Sequence, residues 1–290
     1  MNIKGVIVAA GYGSRFLPAT KTIPKEMLPL IDRPAMAFIV DEFLQSGIED
    51  ILIITSRRKK VLEDYFDHEI ELERLFVQEP EKLQKIQPPR GRFFFVRQKE
   101  MKGTGHAIML AKPFTGGDPF VVAYPDDIVL GVPPLSLQLI EAYRQSACSV
   151  LAVKDMSGSD VSRYGVVDPR GGENPCPVRR LVEKPAPGQE PSNLVSQGRY
   201  LFTAEIYSHL EAEYRRHKKG EFYHVGAINR LAENGRCMAL AFSGERLDTG
   251  EPLGFLEATC RYALSRTDLR EKARTLFHKL SRETADSSDP

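Results

Sequence analysis

The sequence predicts an α/β fold: a mixed, mostly parallel central sheet flanked by helices, a smaller antiparallel part, and helices at the C-terminal end. Three observations carry this. The chain opens with an unbroken apolar run, Gly5-Val6-Ile7-Val8-Ala9-Ala10, of the kind a strand covered on both faces needs. A helical period over residues 35–45 is followed by a second such run, Ile51-Leu52-Ile53-Ile54, which is the β–α–β order of a parallel sheet. At 290 residues, with 42% hydrophobic and 27% charged side chains, the chain has enough material for one large core.

The first strand runs into Gly11-Tyr12-Gly13, where glycines let the backbone turn sharply and approach a ligand closely. The loop beyond it carries Arg15, Lys21, Lys25 and Glu26, and Pro18, Pro24 and Pro29 keep it from becoming a helix. The helix over residues 35–45 buries Met36, Phe38, Ile39, Phe43 and Leu44 and stops at Gly47. After the second strand, a helix is predicted over residues 56–66, then charged helical pieces outside the sheet as far as Pro89. Phe93-Phe94-Phe95-Val96 is the third strand; Lys102-Gly103-Thr104-Gly105-His106 opens a helix that reaches Leu110. Phe120-Val121-Val122-Ala123-Tyr124 is the fourth strand, ending at Pro125-Asp126-Asp127. A helix over 134–145 and a strand over 150–153 follow.

From there short strands, at 164–167, 178–182 and 199–202, alternate with Pro- and Gly-rich loops, the pattern of an inserted antiparallel part. Helices at 204–215 and 227–233, a strand at 238–242 and helices at 252–264 and 268–280 complete the order. A polar, frayed tail is predicted for residues 282–290.

Composition narrows the function classes. The net charge of +1 is spread along the chain, which argues against nucleic acid or an anionic membrane as partner. The densest basic run, Arg57-Arg58-Lys59-Lys60, is expected to be a solvated face. No apolar stretch has the roughly 18 to 20 residues of a membrane helix, and Met1-Asn2-Ile3-Lys4-Gly5 leads straight into a strand without a leader pattern. Cys148, Cys176, Cys237 and Cys260 lack zinc or disulfide-scaffold spacing and are expected to pack as small apolar residues in a reducing cytoplasm.

Candidate functional residues fall where strands give way to loops, the position of ligand sites in α/β sheets. A glycine turn followed by fixed cations, Arg15 and Lys25, suits a triphosphate. Phe16 stands where the dinucleotide fingerprint has its third glycine, and no P-loop lysine follows. Gln98 offers an amide that can pair with a base edge, beside a second glycine turn at Gly103. Asp126, and as a second candidate Asp248 in Arg246-Leu247-Asp248-Thr249-Gly250, are carboxylates of the kind by which a hard cation such as Mg²⁺ is typically held alongside substrate phosphates. In Glu183-Lys184-Pro185 the glutamate can accept sugar hydroxyls while the lysine reaches a phosphate.

The segment Ala10-Gly11-Tyr12-Gly13-Ser14-Arg15-Phe16-Leu17-Pro18-Ala19-Thr20-Lys21-Thr22-Ile23-Pro24-Lys25-Glu26-Met27-Leu28-Pro29 resembles the signature of bacterial UTP–glucose-1-phosphate uridylyltransferases, members of the sugar nucleotidyltransferase superfamily. The likeness continues through Arg97-Gln98, Lys102 to Ala107, Pro125-Asp126, Tyr164-Gly165-Val166-Val167, Val182-Glu183-Lys184-Pro185, Pro191-Ser192-Asn193, Gly198-Arg199-Tyr200 and Asp248-Thr249-Gly250, so it spans residues 3–265.

The resemblance implies a Rossmann-like nucleotidyltransferase fold in a single domain over residues 1–281, with a nucleotide half (1–155), a sugar-binding part (156–250) and C-terminal helices (251–281). It implies that Ala10, Gly11, Gly13, Glu26, Gln98 and Gly103 bind the nucleotide, while Arg15, Lys25 and Lys184 carry the catalysis. Gly165, Glu183, Lys184 and Asn193 would hold the sugar phosphate, and Asp126 and Asp248 would hold Mg²⁺. The implied reaction joins UTP and glucose 1-phosphate into UDP-glucose and pyrophosphate in a homodimer or homotetramer. One segment departs: the family pattern Gly-[ED]-x-Q-L-T-D-A-I reads here Gly220-Glu221-Phe222-Tyr223-His224-Val225-Gly226-Ala227-Ile228. That change removes polar groups near the expected sugar. The alternatives are therefore another sugar 1-phosphate, dTTP in place of UTP, or a nucleotide-sugar-binding regulator without catalysis.

Overall fold

The computed structural model describes residues 2–286. Nine strands form one sheet in the spatial order Arg92–Arg97, Asp50–Thr55, Lys4–Val8, Phe120–Ala123, Leu194–Phe202, Ser149–Asp155, Cys237–Ala241, Cys176–Glu183, Gly165–Pro169. The first four run parallel, in register Gly5↔Ile51 and Gly5↔Val121 on either side of the opening strand. Phe120–Ala123 then pairs antiparallel with Leu194–Phe202, so the remaining sheet is mixed. The Gly165–Pro169 and Cys176–Glu183 strands form the expected antiparallel part, as an extension of the main sheet.

Alternation along each strand splits the core between two faces. Ile7, Ile53 and Val121 point to the face covered by the Ala35–Gln45 and Leu135–Ser146 helices, with Phe43, Leu139 and Tyr143. Val6, Ile54 and Val122 point to the other, with Ile206, Leu210 and Leu231 of the Glu205–Arg216 and Val225–Glu233 helices. A buried pair ties the first face together: Arg199 donates to Glu42 through Nε (3.0 Å) and Nη2 (2.7 Å). Glu42 also accepts from the Ser136 amide and hydroxyl, and Arg199 Nη2 donates to the Asp127 carbonyl at 3.2 Å.

Three sequence expectations need correction. The helix expected over residues 56–66 is confined to Val61–Tyr65; residues 56–60 form a turn that sends Lys59 inward. The last helix runs Arg270–Asp286, so the frayed tail expected from residue 282 is helical through 286; residues 287–290 lie outside the described residues. Four strands went unread: the two-residue pair Pro29–Leu30 and Arg33–Pro34, and Asp127–Leu130 with Glu245–Asp248, which pair antiparallel with Asp127 opposite Asp248. The four cysteines are free, three of them buried. No helix among the described residues is long and apolar enough to cross a membrane.

Candidate active site

The opening strand has the next strand on one side and Phe120–Ala123 on the other, so the order reverses at its carboxyl end and leaves a crevice there. That crevice holds a cavity of about 390 Å³ lined by Gly11, Gly13, Arg15, Lys25, Glu26, Thr104, Tyr124, Asp126, Glu221 and Gly250, among others. Six of the residues singled out in the sequence therefore meet there: Gly11, Gly13, Arg15, Lys25, Glu26 and Asp126. Gly13 has φ of 68°, and a Cβ on it would crowd Thr20 and Lys25, so glycine is what allows the loop to fold back on itself. The loop settles into three single 3₁₀ turns, at Ser14–Phe16, Ala19–Lys21 and Lys25–Met27. Thr20 locks it by donating its hydroxyl to the Gly13 carbonyl at 2.7 Å.

Lys25 Nζ donates to Asp126 Oδ2 at 2.6 Å. Burial disfavours the Lys25 ammonium, but the charges of Asp126 and Glu26 outweigh it, so its pKa stands above the ordinary lysine value. Burial likewise works against the Asp126 carboxylate, and Lys25 reverses the balance, holding its pKa below the ordinary value. The pair is charged at neutral pH.

The paired strands Asp127–Leu130 and Glu245–Asp248 bring the second carboxylate to the first. Asp248 Oδ1 and Asp126 Oδ2 lie 3.1 and 3.3 Å from the point where a Cβ on Gly250 would sit, with Arg15 Nη1 at 3.6 Å from it. A side chain at 250 would fill that space. The Gly250 amide donates to Asp248 Oδ1 (2.9 Å), Arg246 Nη2 donates to Oδ2 (3.1 Å), and Thr249 N donates to the Asp126 carbonyl (2.9 Å). Asp127 takes a structural part: Arg246 Nε donates to it at 2.6 Å and the Gly198 amide at 3.1 Å. Among the described residues no three His, Cys, Asp or Glu side chains are grouped to hold a metal ion; around Gly250 the chain offers the two carboxylates of Asp126 and Asp248.

Glu26 is 2% exposed and held by a residue the sequence did not single out. Lys59 Nζ donates to both its carboxylate oxygens at 2.8 Å and to the Ala9 carbonyl at 2.6 Å. In the sequence Lys59 sits in a run of four cations expected to be solvated; nothing local distinguishes it from its neighbours. Burial pulls its pKa below the ordinary value, against the charge of Glu26. Gln98 Nε2 donates to the Gly103 carbonyl (3.1 Å) and lies 3.0 Å from His106 Nδ1, which leaves its Oε1 as an acceptor. Gln98 opens on a neighbouring cavity of about 600 Å³ that also borders Tyr12. Gly103, at φ of 94°, lies so close to Phe222 that a Cβ would come within 2.5 Å of its carbonyl oxygen.

Ala10 is buried and can contribute only its backbone. Gly165, Glu183, Lys184 and Asn193 stand outside the lining of the 390 Å³ cavity. Glu183 and Gly165 face each other across the antiparallel extension, where a Cβ on Gly165 would lie 3.1 Å from Glu183 Oε2. Lys184 is exposed and has φ of 48°, a conformation lysine rarely adopts, held by its amide donating to the Tyr164 carbonyl at 3.0 Å. Asn193 is exposed, and its carbonyl accepts from the Met156 amide. Thr104, Tyr124 and Glu221 were missed. Tyr124 ends an apolar strand and reads as core, and Glu221 lies in the divergent segment, where it accepts from the Tyr223 hydroxyl at 2.6 Å.

A nucleotidyl transferase family model matches residues 4–265. The UTP–glucose-1-phosphate uridylyltransferase of Staphylococcus epidermidis is 42% identical over 282 residues, 96% of this chain and 98% of that protein. A UDP-glucose pyrophosphorylase complexed with UDP-glucose superposes with a TM-score of 0.80 at 37% identity, covering 92% of this chain and 100% of that one. A UTP-bound UGPase from Acinetobacter baumannii superposes with a TM-score of 0.87 at 33% identity, covering 97% and 100%.

Proposed function

This chain belongs to the nucleotidyl transferase family, and from that premise we infer that it transfers the uridylyl group of UTP to glucose 1-phosphate, forming UDP-glucose and releasing pyrophosphate. The observation that carries the inference is the meeting of Arg15, Lys25 and Asp126 in one crevice beside a glycine turn, with Asp248 brought up to Asp126 and Arg15 around Gly250. Relatives at this identity and coverage carry the same activity in their names, and related structures hold UTP and UDP-glucose.

The chemistry follows from charge. An oxygen of the sugar phosphate attacks the α-phosphorus of UTP in line, and the bond to the pyrophosphate oxygen breaks. The nucleophile is already an anion, so no general base is required; the obstacle is bringing two polyanions together. Arg15 and Lys25 offset that repulsion on the triphosphate and stabilise charge spread over the transition state. Lys25, protonated against Asp126, exchanges that carboxylate for phosphate when the nucleotide enters. Gln98 Oε1 and the backbone at Ala10, Gly11 and Gly103 meet the uracil edge, with Glu26 fixed by Lys59 beneath. Gly165, Glu183 and Asn193 hold the sugar, and Lys184 holds its phosphate.

We propose Mg²⁺ as the cofactor, bound by Asp126 and Asp248 together with substrate phosphates. Two carboxylates at one point suit a hard cation that keeps ligands from its substrate. Bound there, the ion supplies charge neutralisation and orientation of the phosphates. Residence in the cytoplasm and assembly as a homodimer or homotetramer belong to the same proposal; exposed Leu75, Val77 and Leu253 support self-association.

Release of pyrophosphate from UTP and glucose 1-phosphate, with UDP-glucose as co-product, tests the reaction. Chelation with EDTA is expected to slow it at least about tenfold, with recovery on adding Mg²⁺; a rate indifferent to chelation would remove the metal from the scheme. Lys184→Ala is expected to lower turnover about 100-fold without altering the unfolding midpoint, because the side chain is exposed and both residues meet the same backbone cost at positive φ. Near-normal kinetics of that variant would displace Lys184 from the site.

A further inference from the structure

Three polar side chains at the back of the cleft have no part in the reaction above. Thr104 lines the cavity, and its Oγ1 lies 3.0 Å from Nδ1 of His224. His224 is 7% exposed, and its Nε2 is buried with no partner among the described residues. The ring packs against Tyr124 (centroids 6.3 Å apart, 28° between planes) and edge-on to Tyr200 (5.1 Å, 73°). The Tyr124 hydroxyl is also buried, and its polar neighbour is the Thr104 hydroxyl. Backbone bonds hold the two segments together: Gly105 N donates to the Phe222 carbonyl at 2.9 Å, and Phe222 N donates to the Lys102 carbonyl at 2.7 Å. His224 stands where the family pattern for this segment has leucine, inside the stretch that departs from it.

The proton positions follow from burial. With its pKa pressed down to about 4 by burial, His224 is a neutral imidazole with one donor and one acceptor. Were the proton on Nε2, a buried N–H would be left unpaired, which is rarer and costlier than an unpaired acceptor. The proton therefore sits on Nδ1 and is donated to Thr104 Oγ1. The threonine hydroxyl hydrogen cannot then point at the imidazole; the Tyr124 hydroxyl beside Thr104 can donate to the second lone pair of its oxygen, and the side of Thr104 that stays open is the cavity it lines. Thr104 shares that wall with Tyr124, and the same cavity is lined by Asp126 on one side and by Glu221 of the divergent segment, where the sugar is expected, on another.

We propose that Thr104, oriented by His224, is a specificity-determining residue that donates a hydrogen bond to a hydroxyl of the sugar 1-phosphate. The proposal rests on the transfer reaction inferred above. It identifies what replaces the polar groups lost at Tyr223, Val225 and Gly226: a donor from the adjoining glycine turn, held by the histidine that the divergent segment brings in.

The test compares Thr104→Val, Thr104→Ser, His224→Leu and the Thr104→Val/His224→Leu double variant in steady-state kinetics with both substrates varied. Thr104→Val, which removes the hydroxyl and keeps the shape, is expected to raise KM for the sugar phosphate about tenfold while KM for UTP moves less than about twofold. Thr104→Ser is expected to restore the wild-type value. His224→Leu is expected to give a smaller rise, and the double variant to match Thr104→Val alone, because the histidine acts through the threonine. An unchanged sugar KM in Thr104→Val overturns the proposal, as does a change confined to UTP or full additivity in the double variant. Thr104→Val is isosteric, so it remains informative if His224→Leu does not fold. If the wild type consumes a different sugar 1-phosphate, the same comparison with that sugar rejects glucose 1-phosphate and still decides the Thr104 contact. If no sugar phosphate is consumed, both fall.

Discussion

Lys25→Met is expected to lower kcat/KM about 1,000-fold, the upper end of what removal of one preorganised charge at a developing anion costs. Lys25 has two tasks that no other cation of the cleft combines. It lines the cavity in which the triphosphate is placed, and it holds Asp126 Oδ2 at 2.6 Å. Losing it removes a positive charge from the nucleotide side and leaves the Asp126 carboxylate opposed by burial without its main counter-charge. Methionine keeps the length of the stem, so the loop, pinned by Thr20 and the Gly13 turn, is expected to stay in place. Steady-state kinetics over both substrates and a denaturant titration check this. A variant within tenfold of wild type would sink the assignment; one that is inactive because it is unfolded would show a lowered unfolding midpoint instead.

Arg199→Leu is expected to destabilise the fold by about 3–5 kcal/mol, the cost of leaving one member of a buried ion pair without its partner. Arg199 is 1% exposed and joins the Leu194–Phe202 strand to the first long helix through Glu42. Its loss leaves Glu42, among the described residues, with the two Ser136 donors and removes the donor to the Asp127 carbonyl. Because Asp127 adjoins Asp126, activity is expected to fall as well under conditions where the variant is folded. Chemical denaturation measures the first effect. A Glu42→Leu/Arg199→Leu double variant is expected to recover most of the stability, since hydrophobic replacement of a whole buried pair is often neutral. A loss below about 1 kcal/mol in the single variant would mean that solvent reaches the pair.

Much of the fold was legible because its signals are local. The opening strand, the strands at Asp50–Thr55 and Phe120–Ala123 and the helix at Ala35–Gln45 are continuous apolar or periodic runs, and each lies where the pattern places it. The strands at Asp127–Leu130 and Glu245–Asp248 were not legible. They are short, carry charged residues, and find their pairing partner more than 100 positions away, as the Arg246–Asp127 bond spans 119. Propensity within a window cannot report such a partner.

The candidate site divides the same way. By itself the sequence determined the glycine turn, the proline-stiffened loop with Arg15 and Lys25, and the strand ends at Gln98 and Asp126, because turn chemistry and apolar runs are read from adjacent residues. The resemblance paired Asp126 with Asp248, but tertiary structure alone decided that a two-stranded ladder brings them together, that Lys59 leaves its basic run to hold Glu26, and that His224 reaches Thr104. In each case a polar side chain finds its partner across the sheet or between loops, and only desolvation in the folded state makes that partner obligatory.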